Sequence, residues 1–427
     1  MMTKICVYED NKYRQFFPVT HLRPVFCMRA GILPQFRRVG RAFDTDEIWL
    51  AARNCLAALV TAEHRDYPVN LIKRGEDDRV LFINGRIRNF GDLPRLVQES
   101  RLSTVFKNNG EIVAVLLHPD SASQVPSVAT PGDYVPVVLK DREEIPDFDT
   151  SATLYSHCWE FVEDISRSIA EDFEYMRTTG VQTNQQAADV EGLHVVNSDS
   201  VILGVDVQTS PGSVIDASNG PVYIGDNTMI ESQVAIHGPC YIGPNSVVVT
   251  GKIVSSSVGH TCRVGGEVEE SIFQSYVNKH HAGFIGHSYV GSWVNFGAMT
   301  TNSDLKNNYS NIRVTVDGQS IDTGSIKVGS FIGDHTKFGI GTLLTTGINI
   351  GACCNIFGGN LVGEKEIPSF SWGGSAPYEK YFFDKAIETA SRTAKRRDVE
   401  LSHQEEEVLR QLSEGSNPDE GTLDFEN

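Results

Sequence analysis

IGDNTM (224–229), IESQVA (230–235) and IGPNSV (242–247) decide the fold, and IGHSYV (285–290), IGDHTK (332–337), FGIGTL (338–343) and IGACCN (350–355) repeat their pattern. An aliphatic residue, usually Gly, two variable residues and a small or β-branched one recur every six positions. Each unit supplies a short strand and a turn. The aliphatic side chain points to the axis, and Gly is expected to free the backbone at the corner. Three units close one triangular coil, so residues about eighteen apart stack along a face. One coil cannot bury its own interior, so stability comes from stacked neighbours. Neither an amphipathic helix nor a sandwich has a six-residue period. Residues 200–375 are therefore expected to form a parallel β-helix. The repeat alone does not set its hand, since crossovers are normally right-handed.

Outward from this core, SDLKNNYSNIRVTVDGQSIDTG (303–324) interrupts the repeat and reads as an extruded loop, a common carrier of function on a rigid scaffold. After SWGG (371–374), residues 376–427 read as a C-terminal helix with Lys and Arg near its end, then an acidic tail with EEE at 405–407 and PDEGTLDFEN at 418–427. Such a charge block is expected to be solvated and partly disordered. On the amino-terminal side, Leu154, Cys158, Phe161, Val162, Ile165, Ile169, Phe173 and Met176 make one helical stripe, and residues 181–199 read as a linker. Residues 1–180 form an α/β domain. ICVY (5–8), EIWLA (47–51), VLFING (80–85) and EIVAVLL (111–117) suit buried strands, with helical DLPRLVQES (92–100) among them. That alternation points to a mainly parallel sheet.

The composition is that of an ordinary globular protein, with 40% hydrophobic and 22% charged residues. A net charge of −18 argues against nucleic acid as a partner. No apolar run approaches the roughly 18–20 residues a membrane span needs, and no signal peptide precedes the first strand. The eight cysteines form no CxxC pair and read as buried thiols of a cytoplasmic protein.

The densest polar stretch is NKHHAGFIGHSYVGSWVNFGAMTTNSDLKNN (278–308). A neutral imidazole beside an amine and a thioester is a competent general base, and asparagine amides orient substrates or stabilise an oxyanion. This stretch resembles the acetyltransferase half of the bifunctional N-acetylglucosamine-1-phosphate uridylyltransferase/glucosamine-1-phosphate acetyltransferase family. The resemblance implies a left-handed helix, a homotrimer and acetyl-CoA as donor. It places His281 on the catalytic base and Asn295 on a substrate-site asparagine. Lys279, Phe284 and Asn302 fall among the substrate-binding positions, with Phe284 standing where the family has a tyrosine.

FPVTHLRPVFCMRAGI (17–32) and VLFINGRI (80–87) resemble the opening and the metal-binding strand of sugar-1-phosphate nucleotidyltransferases. Arg23, Arg29, Asn84, Gly85 and Arg86 fall in the expected nucleotide site, whose cofactors would be Mg²⁺ and a nucleoside triphosphate. Two departures stand out: the glycine-rich loop is absent, and Arg86 replaces the metal-binding aspartate. Arginine suits phosphate but cannot ligate a metal. The chain as a whole is similar to a divergent sugar nucleotidyltransferase branch with a hexapeptide-repeat tail.

The resemblance implies a transferase of sugar-nucleotide, cell-envelope-precursor metabolism acting on sugar phosphates and nucleotides such as UDP-N-acetylglucosamine. A catalytically reduced, nucleotide-sugar-binding trimeric scaffold is the alternative. A zinc site built from His260, His281 and His287 is a third, disfavoured because positions 281 and 287 lie on successive faces of a coil.

Overall fold

The computed structural model describes residues 3–73, 75–122, 128–129, 145–181, 183–184 and 186–415. In the amino-terminal domain, β1 (Thr3–Tyr8), β2 (Ile48–Ala51), β3 (Arg79–Asn84), β4 (Thr104–Asn108), β5 (Glu111–Leu117) and β6 (Asp147–Asp149) build a six-stranded sheet. Its order is β2-β1-β3-β5-β4-β6. Ile5, Val7, Leu81 and Ile83 belong to one core with α1 (Gln35–Phe43), α2 (Asn54–Glu63) and α3 (Leu93–Glu99). Cys6, Tyr8, Phe82 and Val115 belong to a second. Cover on both faces explains why these strands are continuously apolar.

The sheet is mainly parallel but mixed: β1–β2, β1–β3 and β4–β6 run parallel, whereas β5 runs antiparallel to both β3 and β4. The antiparallel pairing comes from the Asn109-Gly110 turn, with φ of 50° and 84°, which closes a hairpin between β5 and β4, a strand the sequence did not announce, after the expected helix over 92–100.

The expected 154–176 helix is two helices, α4 (Cys158–Glu163) and α5 (Ile165–Thr179). Asp164 breaks it, and its carboxylate accepts from Arg88 (2.8 Å) and Arg167 (2.5 Å). Leu154 lies in a short strand before the helices.

The coil ladder starts at Leu193–Val196, within the stretch read as linker, by pairing in parallel with Ser213–Asp216. From there the chain winds into the parallel β-helix. One face alone stacks nine strands, and Ile224, Ile230, Ile242, Val248, Ile332 and Ile350 fill the axis. Each such side chain stabilises by about 1.5–3 kcal/mol when fully buried.

The repeat glycines serve a different purpose from the one expected. A Cβ on Gly225 would sit 2.6 Å from Pro244 N, and one on Gly351 2.3 Å from Ser369 N. These glycines admit the next coil. The left-handed turn falls two residues later, at Asn227, Asn245, His335 and Cys353.

The 303–324 excursion carries a hairpin, Arg313–Val316 with Gln319–Asp322, turned by Asp317-Gly318. Ile312, Val314 and Val316 pack with Tyr13, Phe16 and Val19, so the excursion clasps the amino-terminal domain. The same core joins Phe161, Ile165 and Ile169 of α4 and α5 to Tyr241, Tyr289 and Phe331 on one helix face.

At the carboxyl end, α6 (Phe383–Lys395) is followed by α7 (His403–Glu414). The EEE block is therefore helical. Ser402 caps it by accepting from Glu405 N (3.1 Å), its acidic first turn suits the helix dipole, and Val408 and Leu409 pack with Leu56 and Val60 of α2. Residues 418–427 lie outside the described residues. Among the described residues, no helix is long and apolar enough to cross a membrane.

Candidate functional site

Parallel strands end in a crevice where nucleotides commonly bind. Here Glu9 and Asp10 follow β1, Arg53 follows β2, and Asn84-Gly85-Arg86 closes β3. Arg86 is buried. Its Nε donates to Asp10 Oδ2 (2.8 Å), Nη1 to the Tyr155 carbonyl (2.7 Å) and Nη2 to Glu111 Oε1 (3.0 Å). Asn84 Nδ2 donates to the same Asp10 carboxylate (2.8 Å), and Asn84 Oδ1 accepts from Arg86 N (3.0 Å).

Beside this cluster, Arg53 Nη1 donates to Glu9 Oε1 (2.8 Å) while its guanidinium lies 4.0 Å over the Tyr13 ring. Burial pushes the Glu9 carboxyl up to about 7 against the pull of Arg53. Gly85 lets the signature loop close down, since a Cβ there would meet Phe26 Cβ at 2.8 Å. A catalytic Mg²⁺ does not fit this arrangement. A guanidinium stands where its ligand is expected, and the neighbouring Asp10 carboxylate is bound to that guanidinium.

Arg23 and Arg29 sit between the domain and the β-helix. Arg23 forks onto Asp334 and also reaches Ser292 Oγ (3.2 Å). Arg29 N donates to the Tyr289 hydroxyl (2.9 Å), which donates back to the Arg29 carbonyl (3.0 Å). Nearby, Cys27 Sγ and His64 Nε2 are 3.5 Å apart. Burial holds that thiol well above its ordinary value and that imidazole down at about 4, so both are neutral and the thiol is not activated.

On the β-helix, His280 and His281 are exposed, with rings at right angles and centroids 5.0 Å apart. Buried Lys279 turns inward, donating to the carbonyls of Gly265 (2.9 Å) and His281 (2.6 Å). Its ammonium thus pins the backbone that presents His281. Burial lowers Lys279 to about 8.

Asn295 Oδ1 accepts from Asn278 Nδ2 (2.8 Å), which leaves its own Nδ2 as a donor. Asn278 pairs with Asn295, and Ala282 O accepts from Met299 N (2.8 Å). His281 therefore stacks near Ala298, in the turn that follows the Asn295–Phe296 strand, three residues along the chain from Asn295. Asn302 is buried within the coil, accepting from Gly286 N (2.8 Å) and donating to Gly286 O (3.0 Å). The Phe284 ring lies over Gly286, where a Cβ would meet it at 2.4 Å.

His260 packs edge-on to Tyr276 and His287 bonds Asp304 (2.7 Å), so these two histidines and exposed His281 do not converge. The sequence reading missed Glu9, Asp10 and Arg53. Its available signal was the acidic pair directly at the end of the first strand.

Residues 5–179 match the family described as sugar nucleotidyl transferase. A bifunctional sugar-1-phosphate nucleotidylyltransferase/acetyltransferase from Sulfurisphaera tokodaii is 35% identical over 96 residues, covering 22% of this chain and 24% of that protein. The bifunctional protein GlmU of Methanococcus vannielii is 29% identical over 106 residues, 25% of each chain. The chain thus spans about a quarter of the length of these curated relatives. Among solved structures, the UDP-N-acetylglucosamine acyltransferase from Campylobacter jejuni aligns with 52% of this chain and 94% of its own, at 12% identity and a TM-score of 0.28.

Proposed function

We propose that this chain is a transferase of sugar-nucleotide metabolism whose reactive centre is an acyl-transfer site on the β-helix. The observation that carries this reading is an exposed His281 held on a backbone locked by buried Lys279, beside an exposed apolar stripe. Ile340, Leu361, Met299 and Leu343 are 75%, 61%, 59% and 44% exposed, and Thr301, Leu343 and Leu361 stack in register. Such a stripe marks an interface. In a homotrimer a second copy would cover it and wall a groove for acetyl-CoA next to His281.

The amine of an amino sugar attacks the thioester carbonyl and the C–N bond forms. His281 takes the amine proton, the C–S bond breaks, and that proton passes to the departing thiolate to release the thiol. Asn295 Nδ2 is the available donor for the acceptor. The amino-terminal domain supplies nucleotide-sugar recognition within the cytoplasm. Nucleotidyl transfer through Mg²⁺ is not part of this reading, because Arg86 occupies the ligand position.

The test is thiol release from acetyl-CoA with amino-sugar phosphates and nucleotide-linked amino sugars, run beside pyrophosphate release from nucleoside triphosphates. Thiol release abolished by His281→Ala in a trimeric protein supports the reading. Release that survives the substitution removes His281 as the base. The buried Arg86–Asp10 pair favours a second reading, a nucleotide-sugar-binding scaffold, and silence in both assays from an intact trimer selects it.

A further inference from the structure

A cavity of about 780 Å³ opens between the amino-terminal domain, one corner of the β-helix and the start of α7. It is not the crevice at the strand ends, which Arg86 and Arg53 fill. Arg29, Phe36, Arg37 and Glu63 of the amino-terminal domain and Tyr241, Tyr276 and Trp293 of the β-helix line it. Its size is that of a small-molecule site.

The corner wall has an unusual composition for its backbone. Asn227, Asn245, Tyr276, Trp293 and His335 all hold left-handed φ, between 54° and 63°. Asparagine tolerates that region, whereas bulky side chains are outliers there. Asn227, Asn245 and Thr261 hold this corner in the earlier coils, and the rings of Tyr276, Trp293 and His335 hold it in the coils that follow. Outliers of this kind gather at ligand clamps.

The Tyr276 and Trp293 rings stack at 3.9 Å and 6°, and Trp293 continues onto His335 at 6.2 Å and 12°. Glu405 of α7 fixes His335 from behind (2.8 Å). The result is a rigid aromatic column on a strained backbone.

The amino-terminal domain contributes cations to the same space. Arg29 Nε is buried and, among the described residues, has no hydrogen-bond partner, while its guanidinium lies 5.4 Å from the Tyr241 ring. Arg37 is exposed to the cavity. Guanidinium groups match phosphate oxygens in pairs, and the ring edges of the Tyr276–Trp293 stack can border a base. Glu63 reaches the same space from α2.

We propose that this cavity binds a nucleoside diphosphate, free or as its sugar ester, with the base on Tyr276 and Trp293 and the phosphates on Arg29 and Arg37. The sugar-ester form rests on the sugar-nucleotide reading above. The base and diphosphate follow from the walls themselves.

The experiment titrates the full-length chain with nucleoside diphosphates, their sugar esters and inorganic pyrophosphate, following tryptophan fluorescence and heat. The variants are Arg37→Gln and Tyr276→Asn, with thiol release measured in parallel. Each variant is expected to weaken nucleoside diphosphate binding at least tenfold. Tyr276→Asn should keep or raise Tm, since asparagine suits the corner, and Arg37→Gln is on an exposed side chain that folding does not need. Tighter binding of the sugar ester than of the free diphosphate would place the sugar in the cavity as well.

Binding unchanged in both variants would move the nucleotide elsewhere and overturn the cavity assignment, leaving the sugar-nucleotide reading intact. No binding by any nucleoside diphosphate, with thiol release present, would overturn the cavity and spare the acyl-transfer site. Pyrophosphate binding as tightly as the nucleoside diphosphates would overturn the role of the aromatic wall.

Discussion

Arg23 ties the amino-terminal domain to the β-helix through Asp334, its Nη1 donating to Oδ2 (3.2 Å) and its Nη2 to Oδ1 (2.5 Å). Asp334 is buried and also accepts from Ser292 N (2.7 Å), so one carboxylate organises a helix corner and receives the signature loop. The loop is bound on its other side too. Gly31 O accepts from Ser257 Oγ (2.6 Å), and Asp172 accepts from Ile32 N (2.9 Å) and Leu33 N (3.0 Å). A Cβ on Gly31 would lie 2.6 Å from the Ser168 carbonyl carbon. The RPVFCMRAGI segment thus forms the joint between the two domains.

Cutting one side of that joint leaves a buried charge unpaired. Arg23→Ala or Asp334→Ala is expected to destabilise by about 3–5 kcal/mol, and the double substitution by less than the sum. Denaturant unfolding of the four proteins measures this. Additive losses would show that the pair does not couple the domains.

Restoring a carboxylate at position 86 should not restore a metal site. Arg86→Asp would leave Asp10 and Glu111 facing a third carboxylate, and the expected loss is at least the roughly 3–5 kcal/mol of a broken buried pair. Replacing the pair together, as Arg86→Met with Asp10→Leu, should recover most of it. Thermal unfolding with and without Mg²⁺ is the check. Stabilisation of Arg86→Asp by Mg²⁺ would contradict this account.

His287 gives the fold a pH dependence. Desolvation opposes its charge, but bonds to Asp304 and Glu270 outweigh it and raise the imidazole from 6.5 to about 9. A base whose folded value is raised contributes stability fully below pH 6.5 and loses it as pH rises through 9. The loss should reach on the order of 2–3 kcal/mol. Unfolding free energies at pH 6.5 and 9.5 should differ by that amount more in the parent than in His287→Gln. Equal slopes in the two proteins would refute it.

The two asparagines should separate. Asn302→Ala removes both bonds to Gly286 inside the coil, and leaving those backbone groups unmet is expected to cost about 1–3 kcal/mol. Asn295→Ala should leave Tm within about 1 °C, because its bond to Asn278 is only half-buried, and lower thiol release instead. Calorimetry beside the thiol assay reads both. A stable Asn302→Ala protein with lost activity would return that residue to the substrate.

Much of the fold was legible because it is local. The hexapeptide period forces Ile224, Ile242 and Ile350 to one axis whatever surrounds them, and continuous runs such as EIVAVLL mark strands covered on both faces. Some misses were local as well. Asn109-Gly110 announces a hairpin, and Val408, Leu409 and Leu412 form a stripe behind the glutamates of α7. The candidate site was legible only as residue types. Chain position cannot reveal that Lys279 turns inward while His281 stays in solvent, or that Asn302 spends its amide on Gly286.

By itself the sequence determined the repeat, its coils, the strands of the amino-terminal domain and the stretch holding His281 and Asn295, since each depends on periodicity or on neighbours along the chain. Tertiary structure alone decided the partners. It set Arg86 on Asp10, Arg23 on Asp334, and the aromatic corner of Tyr276 and Trp293 in one cavity with Arg29 and Arg37. The physical reason is that an arginine's role follows from the charge it meets, and each of these charges lies on an element distant in sequence and brought near by domain packing.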